Sequence, residues 1–217
     1  MNTIARQEKY TFAAIFLLLL GFLWISIGIY HETAWIAALD EFGNAFFRLP
    51  LQAETTALFF TFTQLGNRPN LALVTLLVVA LLWYKKEKVS ALWLFLSMVG
   101  AGTLMPFLLK QIFRRPRPTD GLMTRTGYSY PSGHATGVLI LYGLLLLLAT
   151  LHMQKSLLRQ LLVCLFACVI LIISWSRIHL GVHFLSDIIG STFLSLAFLV
   201  FAYWGLHRGG RTKHEKD

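Results

Sequence analysis

The chain has 217 residues, of which 56% are apolar and only 13% charged, with a formal net charge of +9. A soluble globular domain carries about 25% charged residues, so this composition excludes an ordinary soluble fold. It also argues against a nucleic-acid partner, the usual reading of a strongly basic soluble chain, because the positive charges are scattered among long apolar runs.

In chain order those runs are 10–30, 69–84, 89–109, 135–151, 161–176 and 188–206. A membrane-crossing helix needs about 20 apolar residues, with a range of roughly 17–25, and each run is read as one span. Run 161–176 reaches that length by extending back through Leu157 and Leu158 with Arg159 snorkelling to the interface. Run 69–84 reaches it by extending back past Arg68. The first run follows Arg6 and Lys9 as a signal peptide would, but its apolar core exceeds the roughly 7–15 residues of such a segment, so it is read as an uncleaved span. The expectation is an all-α polytopic membrane protein of six transmembrane helices, a single membrane-embedded domain over residues 1–217.

Six spans place both termini on one side. That side carries 11 of the Lys and Arg residues and the other carries 8, so the positive-inside rule makes the first side cytoplasmic. The external connections are then 31–68, 111–131 and 177–186. Segments 35–39 and 55–64 of the first can lie flat at the interface or dip inward. Six of the eight external cations, Lys110, Arg114, Arg115, Arg117, Arg125 and Arg177, sit in or beside three short motifs. Topology does not account for them, whereas a local anion site does.

The first motif is Lys110 with Arg117-Pro118. A helix persisting to Arg115 would put Lys110 and Arg114 on one face, with Pro116 and Pro118 stopping it. Arg offers a planar fork and Lys a point charge to a phosphate. The second motif is Pro131-Ser132-Gly133-His134 before an apolar run. Ser132 is a natural N-cap, the helix start is a ready anion site, and Gly133 lets the backbone approach a ligand closely. The positive helix end favours proton release from His134. The third motif is Ser176-Arg177 followed by His183 and Asp187. The last two, four apart, share a helix face, and a carboxylate on one ring nitrogen presents the other for attack.

A rival reading takes His179, His183 and Asp187 as a zinc site, since two His at i and i+4 can hold the metal. The cations nearby favour an anion instead, and a loop near Gly181 would break that register. Cys164 and Cys168, one turn apart in the fifth span, read as small apolar packing residues.

Lys-x6-Arg-Pro, Pro-Ser-Gly-His and Ser-Arg-x5-His-x3-Asp together resemble the three signature motifs of the type 2 phosphatidic acid phosphatase family. The match falls at Lys110, Arg117 and Pro118; at Pro131, Ser132, Gly133 and His134; and at Ser176, Arg177, His183 and Asp187. The motifs span 110–187, and the six-span pattern extends the resemblance over nearly the whole chain. The resemblance implies a six-helix membrane fold with a metal-independent, cofactor-free site at the external surface. It implies that His183 attacks phosphorus and becomes phosphohistidine, that Asp187 orients it, and that His134 protonates the leaving group. Lys110, Arg117 and Arg177 would clamp the phosphate with Ser132 and Gly133. Soluble vanadium haloperoxidases share such a site, but six spans and the 12-residue gap between the first two motifs argue against that chemistry. The family covers phosphatidate, phosphatidylglycerol phosphate, undecaprenyl diphosphate and sphingoid phosphates. Small size and no evident ER-retrieval ending point to a bacterial cytoplasmic membrane enzyme, for which phosphatidylglycerol phosphate and undecaprenyl diphosphate lead. Specificity is expected in 31–68 and in Tyr128 and Tyr130. The alternative is an anion or lipid-phosphate transporter without hydrolysis, which leaves the His183–Asp187 pair unexplained. Membrane lipids surround either one, and oligomeric state is not legible.

Overall fold

The structure is a computed structural model describing residues 3–48, 52–123 and 125–214, and all the regular structure among them is helical. In chain order the helices are α1 (Thr3–Tyr30), α2 (Ala34–Phe47), α3 (Ala53–Gln64), α4 (Arg68–Tyr84), α5 (Lys88–Val99), α6 (Met105–Phe113), α7 (Gly133–His152), α8 (Leu157–His179) and α9 (Leu185–His214). A π-helical turn, Gly100–Leu104, joins α5 to α6.

Five stretches are long and apolar enough to cross a membrane: Arg6–Tyr30, Lys88–Phe113, Gly133–Thr150, Leu157–His179 and Leu185–Leu206. The pair α3 and α4 passes the same test together, bent by 45° at its break, and makes six spans when the pair is counted as one. Its break follows from sequence: Asn67 is extended at the start of α4 and Pro69 sits in the first turn, where its missing N–H costs nothing. Helix α4 itself begins at Arg68, and what precedes it is the separate helix α3 beyond the bend, not a continuation of one rod. The fifth predicted span starts at Leu157 as its composition suggested.

The π turn has a similar cause. Pro106, near the start of α6, cannot donate to the carbonyl one turn earlier, and its ring crowds that turn. The ladder is re-registered through Gly100–Leu104, as π turns inside helices commonly do.

Helix α7 is the hub and packs against α4, α5, α6, α8 and α9. Between its capping Ser132 and His152 it carries no charged residue except His134, so it can be buried on nearly every side; Ala135, Val138, Ile140 and Leu141 are fully enclosed. Leu71, Leu94, Met98 and Ile173 complete that core. Helix α1 lies along α9 through Phe22, Ile25, Ile29 and Leu194. Large apolar side chains such as Leu17, Leu76, Leu165 and Leu171 point outward, which hydrocarbon solvates and water would not. Cys164 and Cys168 are also exposed, so they face out of the bundle rather than packing inside it.

The ends of α6 and α8 and the starts of α4, α7 and α9 fall at one end of the bundle, so the three motifs meet there. The connection after α6 docks on the turn after α8: Leu122 N–H donates to Leu180 O at 2.9 Å. Gly121 and Gly181 make the approach possible, because a Cβ on Gly121 would lie 2.5 Å from Gly181 O, and Gly181 has φ +62°.

Candidate active site

The geometry starts from one carboxylate. Asp187, in the first turn of α9, is fully buried. Its Oδ2 accepts from His183 Nδ1 at 3.1 Å, from Phe184 N–H at 3.0 Å and from the Ser129 hydroxyl. Its Oδ1 accepts from Arg115 Nη1 at 2.6 Å. His183 is not on the helix with Asp187, as the spacing suggested. It sits in the turn before α9, and Asp187 reaches back over the helix start to hold it, the reciprocal logic of an N-terminal cap.

The other ring nitrogen decides the chemistry. Arg117 Nη1 lies 3.2 Å from His183 Nε2 and also donates to Val182 O at 2.8 Å. A guanidinium only donates, so Nε2 carries the lone pair and Nδ1 carries the proton that Asp187 accepts. Burial, with Lys110 and Arg177 close by, holds the His183 imidazole down to about 3, against the upward pull of Asp187. The ring is therefore neutral near pH 7, with its lone pair set among cations.

His183 shares a cavity of about 480 Å³ with His134, Lys110, Arg117, Arg125, Arg177, Gly133, Asn67 and Arg68. Among the described residues that line it, none is a carboxylate. Lys110 Nζ is held by Tyr128 O and Ser129 O, each at 2.6 Å. Arg177 is anchored by Nη1 on Thr63 Oγ1 at 2.6 Å, while its buried Nε has no partner; the same is true of Arg125 Nε. Ser132 caps α7 through a contact of 3.4 Å from Ala135 N–H. Its own N–H donates to Ser191 Oγ at 2.8 Å. A Cβ on Gly133 would meet nothing within 4 Å, so the glycine leaves free space at the cavity wall. His134 Nε2 pairs with Asn67 Oδ1 at 2.7 Å. Asn67 Nδ2 in turn donates to Gln64 Oε1; with the amide so oriented, His134 carries its proton on Nε2.

Lys110, Arg117, Gly133, His134, Arg177 and His183 thus share one cavity, with Asp187 behind His183, while Ser132 and Ser176 are engaged within their own helices and do not line it. Four neighbours complete the cluster, of which the sequence reading named only Arg115, and that as a cation of the anion site rather than as a partner of carboxylates. Arg115, inside the first motif, bridges Asp187 to Asp40 of α2 and also donates to Ser186 Oγ at 2.7 Å. Asp40, itself buried, accepts Ser186 N–H at 2.9 Å. Ser129 and Asn67 are the other two. Two expectations fail. Helix α6 ends at Phe113, and Arg114 takes a left-handed conformation (φ +46°) that turns it to the exposed surface, away from Lys110. Tyr130 is fully buried, its hydroxyl on Ser26 at 2.7 Å, so it belongs to the core and lines no substrate cavity. The rival zinc register is broken where the loop near Gly181 was expected to break it: α8 ends at His179, whose ring lies tilted against Phe59 with centroids 4.3 Å apart, and among the described residues no three His, Cys, Asp or Glu side chains come together as metal ligands.

Fold and site together define a class: a polytopic helical membrane protein with a cation-lined polar site at one end of its bundle. The chain belongs to the PAP2 superfamily, whose family model matches residues 90–211. It is 29% identical over 136 residues to phosphatidylglycerophosphatase B of Bacillus subtilis (strain 168), a match spanning 60% of this chain and 64% of that protein. A crystal structure of a transmembrane PAP2-type phosphatidylglycerolphosphate phosphatase from Bacillus subtilis superposes with a TM-score of 0.78 at 24% identity, covering 90% of this chain and 96% of that one. Aquifex aeolicus LpxE superposes with a TM-score of 0.56 at 19% identity, over 73% of this chain and 91% of that one.

The lowered His183 value carries a sign. As pH falls through 6.5, the ordinary histidine value, His183 stays unprotonated and takes a proton only near about 3. Ring ¹⁵N spectra of the detergent-solubilised protein, assigned through His183→Gln, should show a neutral His183 at pH 5. A His183 signal titrating near pH 6.5 would overturn the assigned charge state.

Proposed function

We propose that this protein is a metal-independent phosphatase of the cell membrane that hydrolyses a lipid phosphomonoester or diphosphate through a phosphohistidine at His183, on the extracytoplasmic face. The observation that carries the reading is the ring of His183, with Nδ1–H on Asp187 and the Nε2 lone pair facing Arg117.

The chemistry follows atom by atom. Lys110, Arg117 and Arg177 bind the phosphoryl oxygens, with the backbone of Gly133 at the positive start of α7 beside them; Ser132, whose own N–H is held by Ser191, caps that helix start and keeps it in place. The Nε2 lone pair of His183 attacks phosphorus as the bond to the lipid oxygen breaks. Asp187 stabilises the imidazolium that forms. With the substrate phosphate bound beside it, His134 acts as the imidazolium: it turns its Nε2–H from Asn67 to the departing oxygen, gives that proton up and is left a neutral imidazole, a contribution of roughly 10²–10⁴ in rate. Water then attacks the phosphohistidine, giving a proton back to His134, and inorganic phosphate leaves.

The lipid reading rests on a second cavity of about 300 Å³. It is walled by Leu71, Leu76, Phe95, Met98, Gly102 and Phe107, and it shares Arg68, Lys110 and Gly133 with the polar one. Continuity with the phosphate clamp supports reading this groove as the place of the substrate's acyl or prenyl chains. The π turn and Pro106 shape its wall. Phosphatidylglycerol phosphate and undecaprenyl diphosphate are the leading substrates, with phosphatidate behind them. Transport without hydrolysis would leave the oriented lone pair of His183 without a task.

Rapid quench with ³²P-labelled lipid should trap an acid-labile, base-stable phosphoenzyme in the wild type and none in His183→Ala. Hydrolysis should persist in EDTA. A phosphoenzyme that survives His183→Ala but vanishes in His134→Ala would reverse the two roles, and activity lost in EDTA and restored by Zn²⁺ or Mg²⁺ would refute metal independence.

Orientation has its own check. In a Cys164→Ala, Cys168→Ala background, Thr119→Cys should react with an impermeant thiol reagent added to intact cells and Lys85→Cys should not. The opposite pattern would put the site in the cytoplasm.

A further inference from the structure

Two cations line the polar cavity beyond the three of the phosphate clamp, Arg68 and Arg125. A phosphomonoester dianion carries roughly −1.5 to −2 charges, which Lys110, Arg117 and Arg177 already exceed. The two extra cations lie on different sides. Arg125 is shared with an outer recess of about 220 Å³ beside Thr119 and Gly121. Arg68 is shared with the apolar groove. It is exposed at the junction, its charge bears on Lys110, and among the described residues no carboxylate pairs with it.

Its neighbour in the chain identifies which end of the substrate passes there. Asn67 holds the proton-bearing nitrogen of His134, and on the proposed function His134 faces the oxygen that leaves. Arg68 therefore stands between the acid and the chain groove, where the lipid part of the leaving group must run. A cation there matches a leaving group that is itself anionic. In a prenyl diphosphate the departing group is a prenyl phosphate, and in phosphatidylglycerol phosphate it carries a phosphodiester. In phosphatidate it is neutral.

Resting on the phosphatase reading above, we propose that Arg68 binds a second phosphoryl group on the leaving-group side and selects lipids that carry two phosphates over those that carry one. In a prenyl diphosphate, Arg68 meets charge that grows as the bond breaks. In phosphatidylglycerol phosphate it meets a charge already present.

The experiment compares kcat/KM of wild type, Arg68→Gln and Arg68→Lys on three detergent-dispersed substrates: phosphatidate, phosphatidylglycerol phosphate with the same acyl chains, and undecaprenyl diphosphate. Loss of a charge-assisted hydrogen bond predicts a roughly 10- to 100-fold fall for Arg68→Gln on at least one two-phosphate lipid. The fall on phosphatidate should be at least about ten times smaller, and Arg68→Lys should recover part of the loss. A fall on undecaprenyl diphosphate in kcat places Arg68 on developing charge. A fall on phosphatidylglycerol phosphate in KM places it on the standing phosphodiester. Equal losses on all three lipids, or none, would show a helix-end anchor and overturn the proposal while leaving the phosphatase reading intact. Failure of the wild type to release phosphate from any of the three would overturn both.

Discussion

A fully buried carboxylate organises this end of the molecule. Removing one partner from a buried charge typically costs about 3–5 kcal/mol, so Asp187 must be met by donors wherever the chain can supply them. Here they come from four places: the imidazole of His183, the backbone of Phe184, the hydroxyl of Ser129 and the guanidinium of Arg115. Meeting that need draws the connection after α6, the turn before α9 and the start of α9 itself to one point. Arg115 extends the constraint to Asp40, which ties α2 to the same cluster and accepts the backbone of Ser186. The alignment of His183 is a by-product of satisfying Asp187.

The two histidines are made different by their partners rather than by their chemistry. An acceptor on Nδ1 and a donor facing Nε2 give His183 a free lone pair toward the cavity. An amide acceptor on Nε2 gives His134 a proton. On the proposed function, one cavity thus holds a nucleophile and an acid told apart by their partners. On the same proposal, the apolar groove beside them would let a water-insoluble chain stay in hydrocarbon while its phosphate reaches the cations.

Much of this was legible in the sequence. Charge-free runs of spanning length located the helices because hydrocarbon tolerates little else, and the signature residues converge because their spacing places each at a helix end or in a short turn. What escaped has identifiable causes. Arg115 and Asp40 lie 75 positions apart, and no local pattern couples them. Arg115 also hid between two signature cations, where a basic collar explains it as well. Tyr130 looked like a loop residue, since its distance from Ser26 in the chain gave no hint of their contact. Pairing of His183 with Asp187 was foreseen, but as helix neighbours; the i, i+4 spacing also suits a residue held just outside a helix start. The signals for the π turn, Gly100, Gly102 and Pro106 within one apolar run, were present in the sequence, as was the Asn67-Arg68-Pro69 break. Both were masked by the hydropathy that announced the span. The left-handed turn at Arg114 had no sequence signal, since Arg carries no preference for it.

The central claim is that Nε2 of His183 is the atom that meets phosphorus. A structure of the protein with vanadate, which adopts the five-coordinate geometry of a phosphoryl transition state, tests it most directly. The account predicts a bond from vanadium to His183 Nε2, with Lys110, Arg117 and Arg177 on the equatorial oxygens and His134 near the oxygen opposite the bond. Vanadium bonded to His134, or held in the cavity with His183 still donated to by Arg117 and no bond to its ring, would contradict it.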